Sequence, residues 1–331
     1  MGNSVMKRER EGVRKAIKIV LIVIVALLIV LFAGMSIFTG IQVFANSTQL
    51  VTNEKTKGAS EIFWDKYGLD YENFCNTYQI ESFAIASTHN DHMVPADYIY
   101  APESQNSKNH PTVIMSHGKG GNRYSNYPIA EFFLQQGYNV VTFDQRSSNE
   151  NTARYTTFGY LEKFDLIDLV NYVAEHAPGQ RLGVWGASFG GATVGLALGY
   201  KDMDDKIDFA ILECPISSMQ WMLEETMGEM DIGIPLPYLI WCGNIVTKLK
   251  LGFSYRDAEV ARAMRDVTTP VLIINSKADR VTPYFMGKEI YDALPGSAKE
   301  IWTVEDSGHC IMWREHNQEY RDLVQDFLSK Y

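Results

Sequence analysis

Along residues 80–331 the chain switches between two patterns of apolar and polar positions. Short continuous apolar runs, among them VVTF, LGVW, FAIL and VLII, are separated by longer stretches in which apolar residues return every three or four positions. Runs of the first kind predict buried strands, and the longer period predicts helices. The pattern places strands near 81–87, 94–100, 112–116, 138–144, 181–186, 208–213, 270–275 and 299–304. Helices fall near 127–136, 158–176, 189–200, 284–293 and 315–329. Strands alternating with helices imply βαβ units, and strands apolar along their whole length need cover on both faces. The expectation is an α/β protein with a mostly parallel sheet. Between Cys214 and Thr269 the rhythm breaks, and MQWMLEETMGEM and PLPYLIWCGNIV read as apolar helices inserted between strands.

The first 79 residues follow other rules. Ile19 to Ile41 are 23 consecutive uncharged, mostly aliphatic positions. As a helix they span about 34 Å, enough to cross a bilayer core with some tilt. Residues 1–18 form a basic tail, with Lys7, Arg8, Arg10, Arg14, Lys15 and Lys18 against Glu9 and Glu11. By the positive-inside rule this tail stays cytoplasmic and the bulk of the chain lies on the far side. Val43-Phe44-Ala45 has the form of a signal-peptidase site, but the run is longer than a signal peptide's apolar region. An uncleaved signal anchor over 19–41 is therefore expected. Residues 42–79 read as a linker followed by an amphipathic packing helix in EIFWDKYGLDYENF.

Charge sharpens this picture. The tail carries +4, so the rest of the chain carries −14 of the total −10. An acidic body without basic runs argues against nucleic acid as a partner. Cys75, Cys214, Cys242 and Cys310 match no zinc or CxxC spacing, and sequence leaves their pairing open. His89 and His92 around Asp91 suggest ligands, yet histidines so spaced in a strand turn read as solvent-facing. No metal or cofactor is expected.

Candidate chemistry begins at GASFGG. Ser188 lies between Gly186 and Gly190, where an apolar strand turns into a small-residue helix. That is the nucleophile-elbow pattern, which lifts a serine hydroxyl clear of the sheet. An alcohol needs an imidazole to take its proton, and the imidazole needs a carboxylate to fix its tautomer. Functional groups in a parallel sheet gather at the strands' carboxyl ends. Beyond VLIIN lies Asp279, and beyond IWTVE lies His309. Asp306 is a rival acid, but only three residues from His309 it is poorly placed to reach the far ring nitrogen. Backbone N–H groups should hold the oxyanion. Phe189 N–H follows the nucleophile, and Lys119 N–H in the HGKGG loop is the second candidate. His117 reads as a loop-shaping residue.

SHGKGGN, FDQRSSNENTARYTTFGYLEKFDLIDLVNYV, GASFGG, NSKADRVTP and DSGH together resemble the α/β-hydrolase superfamily over roughly residues 80–331. Within it they are similar to the esterase, monoacylglycerol-lipase and serine-aminopeptidase-like branch, whose membrane-anchored members occur in Gram-positive bacteria. The resemblance implies an α/β-hydrolase fold, an eight-stranded mostly parallel sheet and a Ser188–Asp279–His309 triad. It also implies a helical lid over about 215–268. The lid's soft residues, Met219, Trp221, Met222, Met227, Met230, Leu236, Tyr238, Leu239 and Trp241, suggest an apolar wall above Ser188. Trp221, Met222 and Trp241 are the tentative acyl contacts. After FD the relatives carry a glycine-containing loop around an arginine, whereas this chain has QRSSNEN; Arg146 remains and the glycines do not. Glu162 and Asp165 match a recurrent Glu-x-x-Asp that fixes that loop.

The expectation is a membrane-anchored serine hydrolase of carboxylic esters, acting through an acyl-enzyme on a small-molecule or lipid-like acyl substrate. A peptidase, thioesterase or acyltransferase would use the same machinery. A non-catalytic surface module is the alternative of another class.

Overall fold

The structure, a computed structural model, describes residues 2–89, 92–229 and 233–331. Asp91 and Met230 lie outside the described residues. The chain opens with helix α1 (Gly2–Thr48), then α2 (Asn53–Thr56), α3 (Ala59–Tyr67) and α4 (Tyr71–Thr77). Next come β1 (Gln79–Ala86), β2 (Met93–Tyr100), β3 (Thr112–Ser116), α5 (Tyr127–Gln135), β4 (Asn139–Phe143) and α6 (Glu162–His176). β5 (Leu182–Ala187), α7 (Phe189–Leu198), β6 (Phe209–Glu213), α8 (Met219–Gly228), α9 (Leu236–Leu251) and α10 (Val260–Ala263) follow. The chain ends with β7 (Val271–Ser276), α11 (Tyr284–Ala293), β8 (Lys299–Val304), α12 (Met312–Glu315) and α13 (Asn317–Lys330).

These elements form two compact units. Residues Ser47–Thr226 and Tyr255–Tyr331 make one, and Met1–Asn46 with Met227–Ser254 make the other. The first unit is built on an eight-stranded sheet in the order β1-β2-β4-β3-β5-β6-β7-β8. β1 and β2 pair antiparallel, as do β2 and β4, and every later neighbour is parallel. All five residues of β3, β4 and β6 are buried, as a strand covered on both faces requires. Phe132, Phe133, Trp185, Phe209, Tyr320 and Phe327 fill the core on one side.

Three expectations about helices needed correction. The packing helix over EIFWDKYGLDYENF is two helices, because Gly68 takes a left-handed φ of 73° and ends α3. Asp70 then caps α4 by accepting from the Asn73 N–H. α6 starts at Glu162 rather than near 158, since Phe158 and Gly159 both have positive φ. Glu162 instead accepts from the backbone N–H of Thr157 and Gly159. The last helix is likewise interrupted, at His316 between α12 and α13.

In the second unit α1 runs unbroken through the basic tail, the apolar run and Val43-Phe44-Ala45. It is long and apolar enough to cross a membrane. Its large aliphatic residues, such as Leu28 at 58% and Val30 at 68%, are exposed. α9 packs along it. Gly40 allows the approach, for a Cβ there would meet the Cys242 carbonyl oxygen at 2.6 Å. The Tyr238 hydroxyl lies 2.7 Å from Ser36 Oγ, Phe32 packs on the same ring, and the Lys250 ammonium lies over Phe44. Small residues at a close helix contact and hydroxyls bridging it are the means by which helices associate in lipid.

Candidate active site

The turn that carries Ser188 is forced by its glycines. Ser188 has φ 55° and ψ −113°, a conformation costly for a residue with a side chain. A Cβ on Gly186 would lie 2.4 Å from the Gly190 carbonyl oxygen, and one on Gly190 would lie 2.0 Å from that of Ser116. Only glycine fits at either position. The Ser188 N–H donates to the Glu213 carbonyl at 2.8 Å, which ties the turn to the end of β6. The hydroxyl is thus delivered at the carboxyl end of β5.

There it meets the other two candidates. Ser188 Oγ lies 2.9 Å from His309 Nε2, and His309 Nδ1 lies 2.7 Å from Asp279 Oδ2. Asp279 follows β7 and is buried; its Oδ1 accepts from the N–H groups of Val281 and Thr282. Burial raises its pKa, but the bonds from His309 and these amides outweigh that and hold it below the ordinary carboxylate value. Burial disfavours the His309 imidazolium, yet Asp279 and neighbouring Cys214 prevail and raise it to about 9. Asp306 is elsewhere: it is exposed and lies 3.1 Å from His316 Nε2.

Gly118 comes within van der Waals reach of this corner, for a Cβ on it would lie 3.6 Å from that of Ser188. Among the described residues, no acceptor lies on the N–H of Phe189, at the start of α7, or on that of Lys119. Free amides of this kind can receive an oxyanion. His117 is buried and held neutral, burial lowering its pKa to about 4. Its Nδ1 lies 2.8 Å from the Gly118 carbonyl, and its Nε2 accepts from the Gln145 N–H. It therefore joins the loop after β3 to the loop after β4.

The latter loop is fixed by carboxylates. Asp144 accepts from Asn149 and from the Glu150 N–H, and Asp165 accepts from Asn151 and Arg146. The buried side chain of His92 also binds Asp165, at 3.0 Å, and His89 stacks on Phe164. The two histidines are therefore engaged separately. For His92 the solvent-facing expectation was wrong, because Asp165 draws the ring inward.

A cleft of about 180 Å³ opens beside Ser188. Its wall is the surprise. Phe63, Lys66 and Tyr67 of α3 line the cleft together with Gly118, Lys119, Ile129, Trp185, Glu213 and Cys310. Trp221 and Met222, expected as acyl contacts, are not among its lining; the Trp221 ring packs edge-on against Phe285. Trp241 belongs to the helical unit, where it stacks with Tyr238 beside α1. The apolar composition of the insertion's second helix reflects that packing. The α3 residues had a signal in sequence: positions 63, 66 and 67 share one helical face. In sequence they read as packing residues alone. Glu213, the last residue of an apolar strand, carries no such signal. Burial raises its pKa to about 7 against the Tyr320 hydroxyl that donates to it, and its Oε1 has no partner among the described residues.

Residues 111–235 match the family described as alpha/beta hydrolase fold, and residues 252–330 the one described as TAP-like protein. The chain belongs to the α/β-hydrolase superfamily. This hydrolase is similar to the uncharacterised protein YqkD of Bacillus subtilis, at 26% identity over 241 residues, covering 72% of this chain and 78% of that one. It is 26% identical over 224 residues to lysophosphatidylserine lipase ABHD12 of Danio rerio, covering 64% of this chain and 53% of the lipase. In fold it is similar to the Pyrococcus furiosus esterase Pf2001, with a TM-score of 0.60 at 20% identity, covering 80% and 96% of the two chains.

Proposed function

We propose that this hydrolase cleaves carboxylic esters through an acyl-enzyme, with Ser188 as nucleophile, His309 as general base and acid, and Asp279 as the orienting carboxylate. The contact that carries this reading is Ser188 Oγ to His309 Nε2 at 2.9 Å, on the floor of a cleft. Ser188 Oγ attacks the acyl carbon while its proton passes to Nε2. The amides of Phe189 and Lys119 hold the oxyanion. Collapse expels the alkoxide, which takes the proton from His309; water, activated by the same imidazole, then releases the acid and restores the serine. Two similar proteins named as an esterase and a lipase support an ester as the bond cleaved.

The exposed aliphatic surface of α1 supports a role as membrane anchor, with the basic tail cytoplasmic and the hydrolase unit outside. Such an anchor suits a small or lipid-like acyl substrate. A peptidase is the second reading, favoured by one observation: Glu213 places a carboxyl group in the lining of the cleft, where it would attract a substrate amine.

A fluorophosphonate probe, followed by a panel of p-nitrophenyl esters, thioesters and aminoacyl amides, tests the chemistry. Labelling of Ser188 with turnover of esters supports the proposal. An unlabelled serine refutes it, and preference for amides with a free amine selects the peptidase. Protease added to intact cells should degrade the hydrolase unit while sparing cytoplasmic markers; protection until lysis reverses the topology.

A further inference from the structure

Three ligating side chains distant in sequence meet beside the candidate base. Cys214 directly follows β6, and His309 and Cys310 follow β8. Their two sulfurs and one imidazole nitrogen lie within 4.8 Å of one another. Since Asp279 engages Nδ1, the nitrogen that remains is Nε2, and it lies 3.6 Å from Cys310 Sγ. Zinc takes sulfur at about 2.3 Å and nitrogen at about 2.0 Å, so two such ligands on a tetrahedral ion stand roughly 3.5 Å apart. That edge is already present. Both thiols are free and buried, and each cysteine sits at a positive φ, 45° and 49°, that the surrounding fold must impose. A carboxylate on the far ring nitrogen is also the usual partner of a zinc-binding histidine. Asp279 supplies it.

We propose that Cys214, Cys310 and His309 Nε2 bind a thiophilic divalent cation such as Zn²⁺, and that the bound ion silences Ser188. Binding replaces two S–H bonds with metal–thiolate bonds and, where His309 is protonated, its Nε2–H bond with a metal–nitrogen bond, releasing the two thiol protons and the imidazolium proton to solvent. The Nε2 lone pair that would accept the serine proton is then donated to the metal. A fourth position remains for water or the Ser188 oxygen. Glu213 and Asp279 lie close enough to add negative charge, with Lys66 opposing them. The silencing rests on the triad proposed above; the metal site itself does not.

The test uses the full chain, purified in detergent and stripped of metal with a chelator. Cobalt(II) should bind with one equivalent and give a near-ultraviolet sulfur-to-cobalt charge-transfer band. That band should persist in Ser188→Ala and vanish in Cys214→Ser and in Cys310→Ser, with Cys75→Ser as control. Circular dichroism checks that each variant is folded. Zinc should block both ester turnover and fluorophosphonate labelling, reversibly with EDTA. Each cysteine variant, compared with its own metal-free rate, should need about tenfold more zinc or beyond for half-inhibition. No thiolate band with cobalt overturns the site. A band together with undiminished turnover at saturating zinc overturns the silencing. If the metal-free enzyme turns over no ester and escapes the probe, the hydrolase reading fails, while the cobalt titration still decides the site.

Discussion

The floor and the wall of the cleft are built by different means. The floor is the part of the lining that comes from strand ends, with Ser188 at a turn that only glycines permit and Glu213 bonded to Tyr320, and Asp279, bound to His309, is held by three further donors. The wall is a short helix, α3, fixed by a few side-chain contacts. Trp64 Nε1 donates to the Tyr124 carbonyl at 2.9 Å, and the Tyr67 hydroxyl donates to the Cys310 carbonyl at 2.5 Å. A floor over-determined by backbone geometry can hold reacting atoms in place, whereas a wall on a few bonds can vary without disturbing them. Changes in the floor should therefore strike kcat, and changes in the wall should strike KM.

The largest break is Ser188→Ala. It should fold normally and lose about 10⁴–10⁶ in kcat, with no fluorophosphonate labelling. Residual turnover within a hundredfold of the unmutated enzyme would remove Ser188 from the role of nucleophile. Next comes the acid. Asp279→Asn should lower kcat by about 10⁴ through loss of the correct imidazole tautomer. Asp306→Asn, at an exposed pair with His316, should stay within a few-fold. If the two effects were exchanged, the orienting carboxylate would be Asp306.

The same pair predicts a pH profile. His309 accepts a proton only when neutral, and its pKa is raised to about 9, the bonds from Asp279 and Cys214 outweighing burial. In chelated buffer, kcat/KM should therefore climb with pH through an apparent pKa near 9. In Asp279→Asn the imidazolium loses its carboxylate, so the limb should move down toward the ordinary histidine range of about 6.5 while the plateau falls. A limb that stays put would mean that another group sets the profile.

The contrast between floor and wall also governs what could be read from sequence. All eight strands fall within two residues of where the apolar runs place them, because β3, β4 and β6 are buried on both faces and leave an unbroken signal. Gly186 and Gly190 were legible because a forced turn admits one residue type. Nothing comparable marks α3. Phe63 and Tyr67 on the cleft look in sequence like any apolar helical face seeking a core, and only topology decides which surface they meet. The insertion shows the converse. Tyr238 and Trp241 are the kind of residue a lid would offer, but a helix of that composition also packs on an apolar helix such as α1. No sequence spacing brings Cys214 to Cys310, because the contact that matters joins the end of β6 to the loop after β8.

A smaller effect tests the wall's attachment. Tyr67→Phe removes the hydroxyl that donates to the Cys310 carbonyl, the residue after the base. Losing one such bond corresponds to about 1 kcal/mol, or roughly fivefold in kcat/KM. Ring packing is kept, so thermal stability should fall by only a few degrees. A kcat loss of the size seen for Asp279→Asn would place Tyr67 in the floor.

The finest distinction is between two surfaces that could feel the acyl chain. Each methylene buried on binding contributes about 0.8 kcal/mol, close to fourfold in kcat/KM. The cleft encloses about 180 Å³, below the roughly 300–1,000 Å³ typical of drug-sized ligands. The rise from acetyl esters should therefore be steep for the first two or three methylenes and then level off as the space fills. Phe63→Ala should flatten the steep part, because it removes an apolar face from the wall. Trp221→Ala should leave the profile unchanged, because that ring is spent on Phe285. Measured on p-nitrophenyl esters from acetyl to octanoyl, a profile flattened by Trp221→Ala and untouched by Phe63→Ala would return the acyl site to the insertion. A profile that keeps rising to octanoyl would show that the chain runs past this cleft onto another apolar surface.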